Sequence, residues 1–270
     1  MTGGDYLKAW VAAIIADPYC RLPYLFFFGP ENSGKSIFHE AVGQLFTSGV
    51  VPAERALTKD FNGELEGAIV GYVEELNISK NKAAHEKIKN YVTSPTIAVR
   101  RMRTDSYDIP NTTHWVQCAN SMRYCPVFPG DTRITAIRVR KPTEDIPKDQ
   151  LLERLNAEAP YFLRSLIDLR LPPAPGRLRV PAIETNAKQQ IQESNESPLE
   201  AWLADKAHTE PGHKTLLQEV INAINDWIDT ERPGDMRYTR KMVRNDLPAE
   251  YEVIKDGTRL FVEGLKIIDT

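Results

Sequence analysis

The apolar positions of the chain alternate between two periodicities. Over residues 5–17, Leu7, Trp10, Val11, Ile14 and Ile15 recur at the spacing of one helical face, and Asp17-Pro18 ends the pattern. Tyr24 to Phe28 is a continuous apolar run, the mark of a strand buried on both faces, and Ile37 to Phe46 returns to helical spacing. The same reading predicts a short strand at 49–53, a turn at Asp60 to Gly63, a strand from Ile69 to Val73 and a helix over 82–93. It then predicts a strand from Thr96 to Arg103 with a partner from Ser106 to Ile109, a buried strand from Thr113 to Ala119, an alternating strand from Ile134 to Val139 and a helix over 148–170. Beyond the Pro-rich stretch Leu171 to Arg177 come helical patterns at 198–207, 214–230 and 238–246, and a hairpin from Tyr251 to Val262 around Asp256-Gly257. The expected fold class is α/β, a mostly parallel sheet flanked by helices, followed by a small C-terminal helical or winged-helix-like domain. The expected boundaries are a helical segment at 1–22, a core at 23–170, a linker at 171–197 and a helix–hairpin domain at 198–270.

Between the first strand and the second helix lies Gly29-Pro30-Glu31-Asn32-Ser33-Gly34-Lys35-Ser36. It matches G-x-x-x-x-G-K-[ST] in the strand–loop–helix setting the motif requires. By residue frequencies, a chance match in a chain of this length arises about once in a hundred. Backbone N–H groups of such a loop cradle phosphate oxygens. Lys35 would place a point charge on the outer phosphates and Ser36 would offer a hydroxyl to Mg²⁺. The core is therefore read as a P-loop NTPase, with ATP and Mg²⁺ as its expected ligands.

Hydrolysis also needs acids and a water-orienting group. The apolar run 69–73 ends in Glu74 and Glu75, and because neighbours on a strand face opposite ways, one acid can reach the metal and the other the water. The strand Trp115 to Ala119 closes on Asn120, whose amide can hold the attacking water. Arg133, just before the fourth buried strand, is a candidate for action on a neighbouring copy's nucleotide, although position alone also fits a surface Arg.

Charge adds one feature. The chain carries −3 overall, yet residues 80–103 hold Lys80, Lys82, Lys87, Lys89, Arg100, Arg101 and Arg103 against Glu86 alone, a local +6. Such asymmetry marks a polyanion site. Arg100, Arg101 and Arg103 near a hairpin tip, with Tyr107 on its return, suit phosphate contacts and base stacking on a single strand. The three cysteines (Cys20, Cys118, Cys125) lack metal-like pairing and read as reduced thiols of a cytoplasmic protein, and no apolar run approaches the roughly 18 residues of a membrane helix.

Taken in order, these pieces resemble the superfamily 3 helicases, and more narrowly the helicase part of phage and plasmid primase-helicases related to poxvirus D5-type proteins. Gly29 to Ser36 resembles motif A and Gly71 to Glu75 motif B, with Phe61-Asn62 between them; His114 to Asn120 resembles motif C, and Asp131 to Ile134 the arginine-finger segment. The resemblance implies an AAA+-like core, a homo-hexameric ring and ATP-driven translocation on single-stranded DNA in the host cytoplasm, with a primase or polymerase domain or partner upstream. It further implies that Lys35 and Ser36 bind ATP and Mg²⁺, that Glu74 is the metal-side acid and Glu75 the water-activating one, that Asn120 is the sensor and Arg133 the finger. The position before Arg133 is Thr132 where the family often has a second Arg, so Arg138 and Arg140 stand as alternatives. Two other classes fit the motif: a nucleotide-switched DNA-binding initiator or packaging accessory with little turnover, and a P-loop small-molecule kinase.

Overall fold

In the computed structural model, residues 3–78, 81–125, 127, 130–144, 146–195 and 197–268 are described. The chain separates into two compact units, Met1–Asn195 and Glu196–Thr270. The first opens with α1 (Gly3–Ala16), β1 (Tyr24–Phe28) and α2 (Ile37–Gly43), followed by β2 (Val50–Pro52), α3 (Glu54–Thr58), β3 (Val70–Glu74) and α4 (Lys82–Thr93). A two-stranded hairpin, β4 (Thr96–Val99) and β5 (Tyr107–Pro110), precedes β6 (His114–Ala119), β7 (Ile134–Arg138), α5 (Lys148–Ile167) and α6 (Asn186–Asn195).

The central sheet is parallel, five-stranded, in the order β2-β3-β6-β1-β7. Helices cover both faces, which is why β1 and β6 are buried along their whole length. Alternate residues of β1 divide between the layers. Tyr24, Phe26 and Phe28 join the core under α3, α4 and the hairpin, whereas Leu25 and Phe27 join the one under α1, α2 and α5. Tyr24, Trp115 and Tyr91 stack nearly parallel through the first layer, with centroids 6.4 and 5.2 Å apart. Because β1 pairs with β6 on one side and β7 on the other, the chain reverses its winding direction at β1. The carboxyl ends of strands beside such a switch point are where an open α/β sheet leaves a crevice.

Of the segment 171–197, read from its prolines as linker, residues 171–195 belong to this unit instead. Val180 and Ile191 are buried in its two cores, Thr185 donates to Ala136 O at 2.7 Å, and the fully buried Lys188 donates to Asp131 O and to Glu184. Proline content records backbone stiffness, not the docking of single side chains such as Val180.

The second unit runs α7 (Pro198–Lys206), β8 (Ala207–Leu216), α8 (Leu217–Glu231), α9 (Arg240–Asp246), β9 (Glu252–Asp256) and β10 (Arg259–Ile267). A capping box at Ser197 and Glu200 starts α7. The antiparallel sheet runs β8-β10-β9 over a separate core of Leu199, Trp202, Val220, Ile224, Val243 and Val262. Helix, strand, two helices and a hairpin is the winged-helix order, and β8 supplies the strand that periodicity did not reveal. Its sequence, Ala207 to Leu216, is half polar and contains Pro211 and Gly212, so no apolar alternation marks it.

Buried in the first unit, His114 sits edge-on to Trp10 with its Nε2 3.2 Å from Pro18 O, and burial drives its pKa from 6.5 down to about 4. The imidazole is thus neutral when folded and takes up a proton more readily when unfolded. Its contribution to stability is complete above about pH 6.5 and is lost as the pH falls toward 4, by up to about 3 kcal/mol. Urea unfolding of wild type and His114→Gln across this range checks it: the variant's stability should fall less steeply with acidification. Parallel curves would remove His114 as the cause.

Candidate nucleotide site

The loop after β1 is shaped by two left-handed residues, Asn32 (φ 57°) and Gly34 (φ 79°). Gly29 has a different need: a Cβ there would lie 2.2 Å from the carbonyl oxygen of Val139, backbone that cannot yield. Lys35 is buried, and its Nζ donates to Gly29 O (3.1 Å), Pro30 O (2.8 Å) and Asn120 Oδ1 (2.8 Å). One ammonium thus ties the loop after β1 to the end of β6.

β3 delivers its two acids to opposite sides. Glu75 takes a left-handed backbone (φ 49°), its N–H donates to Cys118 O, and its carboxylate accepts from the backbone N–H of Asn120. Such strain in a non-glycine residue concentrates at functional sites. Glu74 turns instead toward α2, where it meets the Ser36 hydroxyl and lies 3.1 Å from His39 Nε2. Burial alone would raise its pKa; the bonds from Ser36 and His39 outweigh it and hold the carboxyl below the usual range. His39, itself buried, stacks flat on Tyr72 at 4.1 Å. Sequence reading passed over His39 because one His in an amphipathic helix has no distinguishing pattern.

Lys35, Ser36, Glu75 and Asn120 open on a cleft of about 660 Å³ lined by Glu31 to Ile37, Glu75 and Asn120, a size suited to a small-molecule ligand, whereas Glu74, His39 and Tyr72 line a separate, neighbouring one. The other wall of the first cleft is Pro142, Ile146, Pro147 and Leu151, which the sequence marked only as the end of a strand. Lys148 pairs there with Glu40 at 2.6 Å. The cleft therefore has a polar half suited to phosphates and an apolar half suited to a base or sugar. Among the described residues no cluster of three or more His, Cys, Asp or Glu could hold a metal. Ser36 and Glu74 form a two-oxygen set, the kind that suits Mg²⁺, which keeps several waters and borrows phosphate oxygens.

The remaining predicted residues lie elsewhere. Arg133 stands at the amino end of β7, and Tyr24, the first residue of β1, donates to its carbonyl. It is five residues of strand, about 16 Å, from the loop end of the sheet. Arg138, level with Phe28, and Arg140 follow at the loop end of β7. The basic segment is less free than its composition suggests. Lys87 turns inward to cap α3 at Ala56 O and Lys59 O, and Lys89 pairs with Glu86 at 2.8 Å. Arg101 and Tyr107 both bind the Glu66 carboxylate, Arg100 lies over the Phe61 ring, and Arg103 (φ 63°) is exposed at the tip. Lys80 and the side chain of Lys82 lie outside the described residues. Buried Asn62 docks the hairpin, donating to Ala98 O and accepting from the Arg100 N–H. Among the described residues no helix is long and apolar enough to cross a membrane.

A family of unknown function, DUF5906, matches residues 27–135, which hold the loop, both acids, the hairpin and Asn120. No curated protein matches the chain. Among solved structures, the apo C-terminal region (305–718) of NrS-1 superposes with a TM-score of 0.66 at 14% identity, over 97% of this chain and 71% of that one. The A form of the apo NrS-1 C-terminal region gives 0.62 at 16% identity over the same shares. A JCV helicase bound to a small molecule gives 0.35 at 15% identity over 76% and 66%, too remote to argue from. The likeness to NrS-1 extends over both units and is a likeness of fold.

The two loop glycines should fail differently. Gly29→Ala forces a backbone collision and should cost about 1–3 kcal/mol or more. Gly34→Ala meets nothing closer than 3.8 Å and should cost about 1–2 kcal/mol, from its positive φ alone. Chemical denaturation of both variants ranks them, and equal losses would contradict the packing account.

Proposed function

We propose that this chain is an ATPase whose hydrolysis drives movement along DNA, a helicase motor that works as a ring of copies. The observation that carries the reading is the convergence of Lys35, Ser36, Glu75 and Asn120 on one cleft at the carboxyl ends of β1, β3 and β6. There, the loop N–H groups and Lys35 bind the β- and γ-phosphates, Ser36, with Glu74 beside it, would hold Mg²⁺, Glu75 accepts the proton of the attacking water, and Asn120 orients that water against the γ-phosphate. Mg²⁺, when bound, neutralises charge on the phosphate oxygens. Pro142, Ile146 and Leu151 would receive the base of ATP. Arg133 is too far from its own loop to reach the γ-phosphate, and its Nε is buried without a hydrogen-bond partner. Its place is at the nucleotide of the adjacent subunit, which makes assembly, as a hexamer, a condition of turnover. Single-stranded DNA runs along the hairpin of Arg100, Arg101, Arg103 and Tyr107, where a phosphate replaces Glu66. A priming domain or partner acts upstream on the same DNA.

ATP hydrolysis with and without single-stranded DNA tests the reading. Wild type should be stimulated by DNA, Lys35→Ala should fall by about a hundredfold or more, and Arg133→Ala should fall by about a thousandfold. Mixing the two inactive variants should restore part of the activity, because some interfaces then join an intact loop to an intact Arg133. No stimulation by DNA overturns the helicase reading; a fully active Arg133→Ala overturns the shared site.

The hairpin gives a second test through salt dependence. Arg101→Ala should weaken single-strand binding and lower the slope of log affinity against log salt by about 0.7, one phosphate contact. Glu66→Gln should instead tighten binding by releasing Arg101 and Tyr107. Unchanged affinity in both variants would remove the hairpin from the DNA path.

A further inference from the structure

A nucleotide brings several negative charges into the cleft beside the glycine loop. Among the described residues two cations line that cleft, Lys35 and Lys148. Lys35 is already committed, because three oxygens of the protein hold its ammonium in place. Lys148 is the opposite case. Its side chain is 64% exposed, and its partner is the Glu40 carboxylate at 2.6 Å. The other carboxylate oxygen of Glu40, Oε2, is buried without a hydrogen-bond partner. Ion pairs with an exposed member contribute little to stability, since water competes for the charge. The cleft thus holds one fixed cation and one on a weak tether.

That tether ends one helical turn from the phosphate loop. α2 starts just after Ser36, and the Glu40 N–H donates to the Ser36 carbonyl, so Glu40 stands about 5.4 Å further along the axis. Lys148 is the first residue of α5 and carries its ammonium on a flexible four-carbon stem, whose reach is of that order. The pair also stands on a boundary. Glu40 lines both the nucleotide cleft and the neighbouring cleft of His39, Tyr72 and Glu74, while on α5 Leu151 lines the first and Leu152 the second. A charge placed there responds to what enters the first cleft.

We propose that Lys148 is a second phosphate-binding cation of this cleft, held off by Glu40 until a nucleotide arrives, a role that rests on the nucleotide reading of the site. On binding, the phosphate chain replaces the carboxylate as partner of the ammonium. One charge-assisted bond is exchanged for another, and the larger charge of the phosphate chain sets the direction. Lys148 therefore favours the nucleotide and Glu40 competes with it. The two members of one ion pair then act on affinity with opposite sign, whereas a brace between α2 and α5 would weaken binding when either member is lost. Neither DNA nor a neighbouring copy is needed for this exchange, so it holds for the single chain.

Equilibrium titration of the full chain with a fluorescent ADP and a fluorescent non-hydrolysable ATP analogue, each with Mg²⁺, tests it. Lys148→Ala should bind both about tenfold or more weakly, the loss of one charged hydrogen bond. Lys148→Arg keeps the charge and should stay within about threefold of wild type, and Glu40→Gln should bind about threefold or more tightly. Nucleotide-free melting temperatures should stay within about 4 °C of wild type, because the pair is exposed. The loss in Lys148→Ala should persist at about 1 M salt, where screening acts within about 3 Å; a loss that vanishes there reflects a distant charge and overturns the contact. Equal weakening by Lys148→Ala and Glu40→Gln, the mark of a brace, overturns it as well. Lys35→Ala separates the two levels. If wild type binds neither nucleotide, or Lys35→Ala binds as wild type does, the nucleotide site itself is overturned and Lys148 with it. If Lys35→Ala loses binding while Lys148→Ala keeps wild-type affinity, the role of Lys148 alone is overturned.

Discussion

β1 is buried on both faces and paired on both edges, and the first unit is arranged around that fact. Its five side chains are consumed by the two cores, so chemistry can be presented only where the strand stops. There the backbone needs Gly29, because the Val139 carbonyl closes the space a side chain would take. The turn that follows brings Lys35 back over the same strand end, onto the carbonyls of Gly29 and Pro30 and the amide of Asn120. A mobile lysine becomes a fixed charge through three oxygen acceptors, and β1 and β6 share one polar junction.

The acids depend on the same sheet. Glu74, the last residue of β3, and Glu75, turned by its left-handed backbone, leave one strand end in different directions, and the two surroundings divide their roles. Glu74 is bound by Ser36 and His39, which keeps it ionised and close to the hydroxyl that a metal would share. Glu75 is lifted into the cleft by a left-handed backbone that its bond to Cys118 O stabilises. The strain is therefore local, and the rigid sheet on either side can sustain it.

The features readable from the sequence were those with a strong local cause. The Tyr24–Phe28 run, the glycine loop, the helix over 82–93 and the Asp256-Gly257 turn each rest on a periodicity or a backbone requirement carried by adjacent residues. What the sequence concealed depends on distant partners. Lys87 looked like part of a polyanion surface, but two carbonyls at the end of α3 turn it inward. Segment 171–197 looked like linker because prolines say nothing of a buried Lys188. The wall of Pro142, Ile146 and Leu151 was hidden because only the fold brings it opposite the loop. β8 was hidden because its polar residues show no alternation.

The basic surface of the hairpin has a limit that composition does not express. In the hairpin, Arg101 and Tyr107 share the carboxylate of Glu66, so a phosphate entering there exchanges one anion for another and gains only the difference between two charge-assisted bonds.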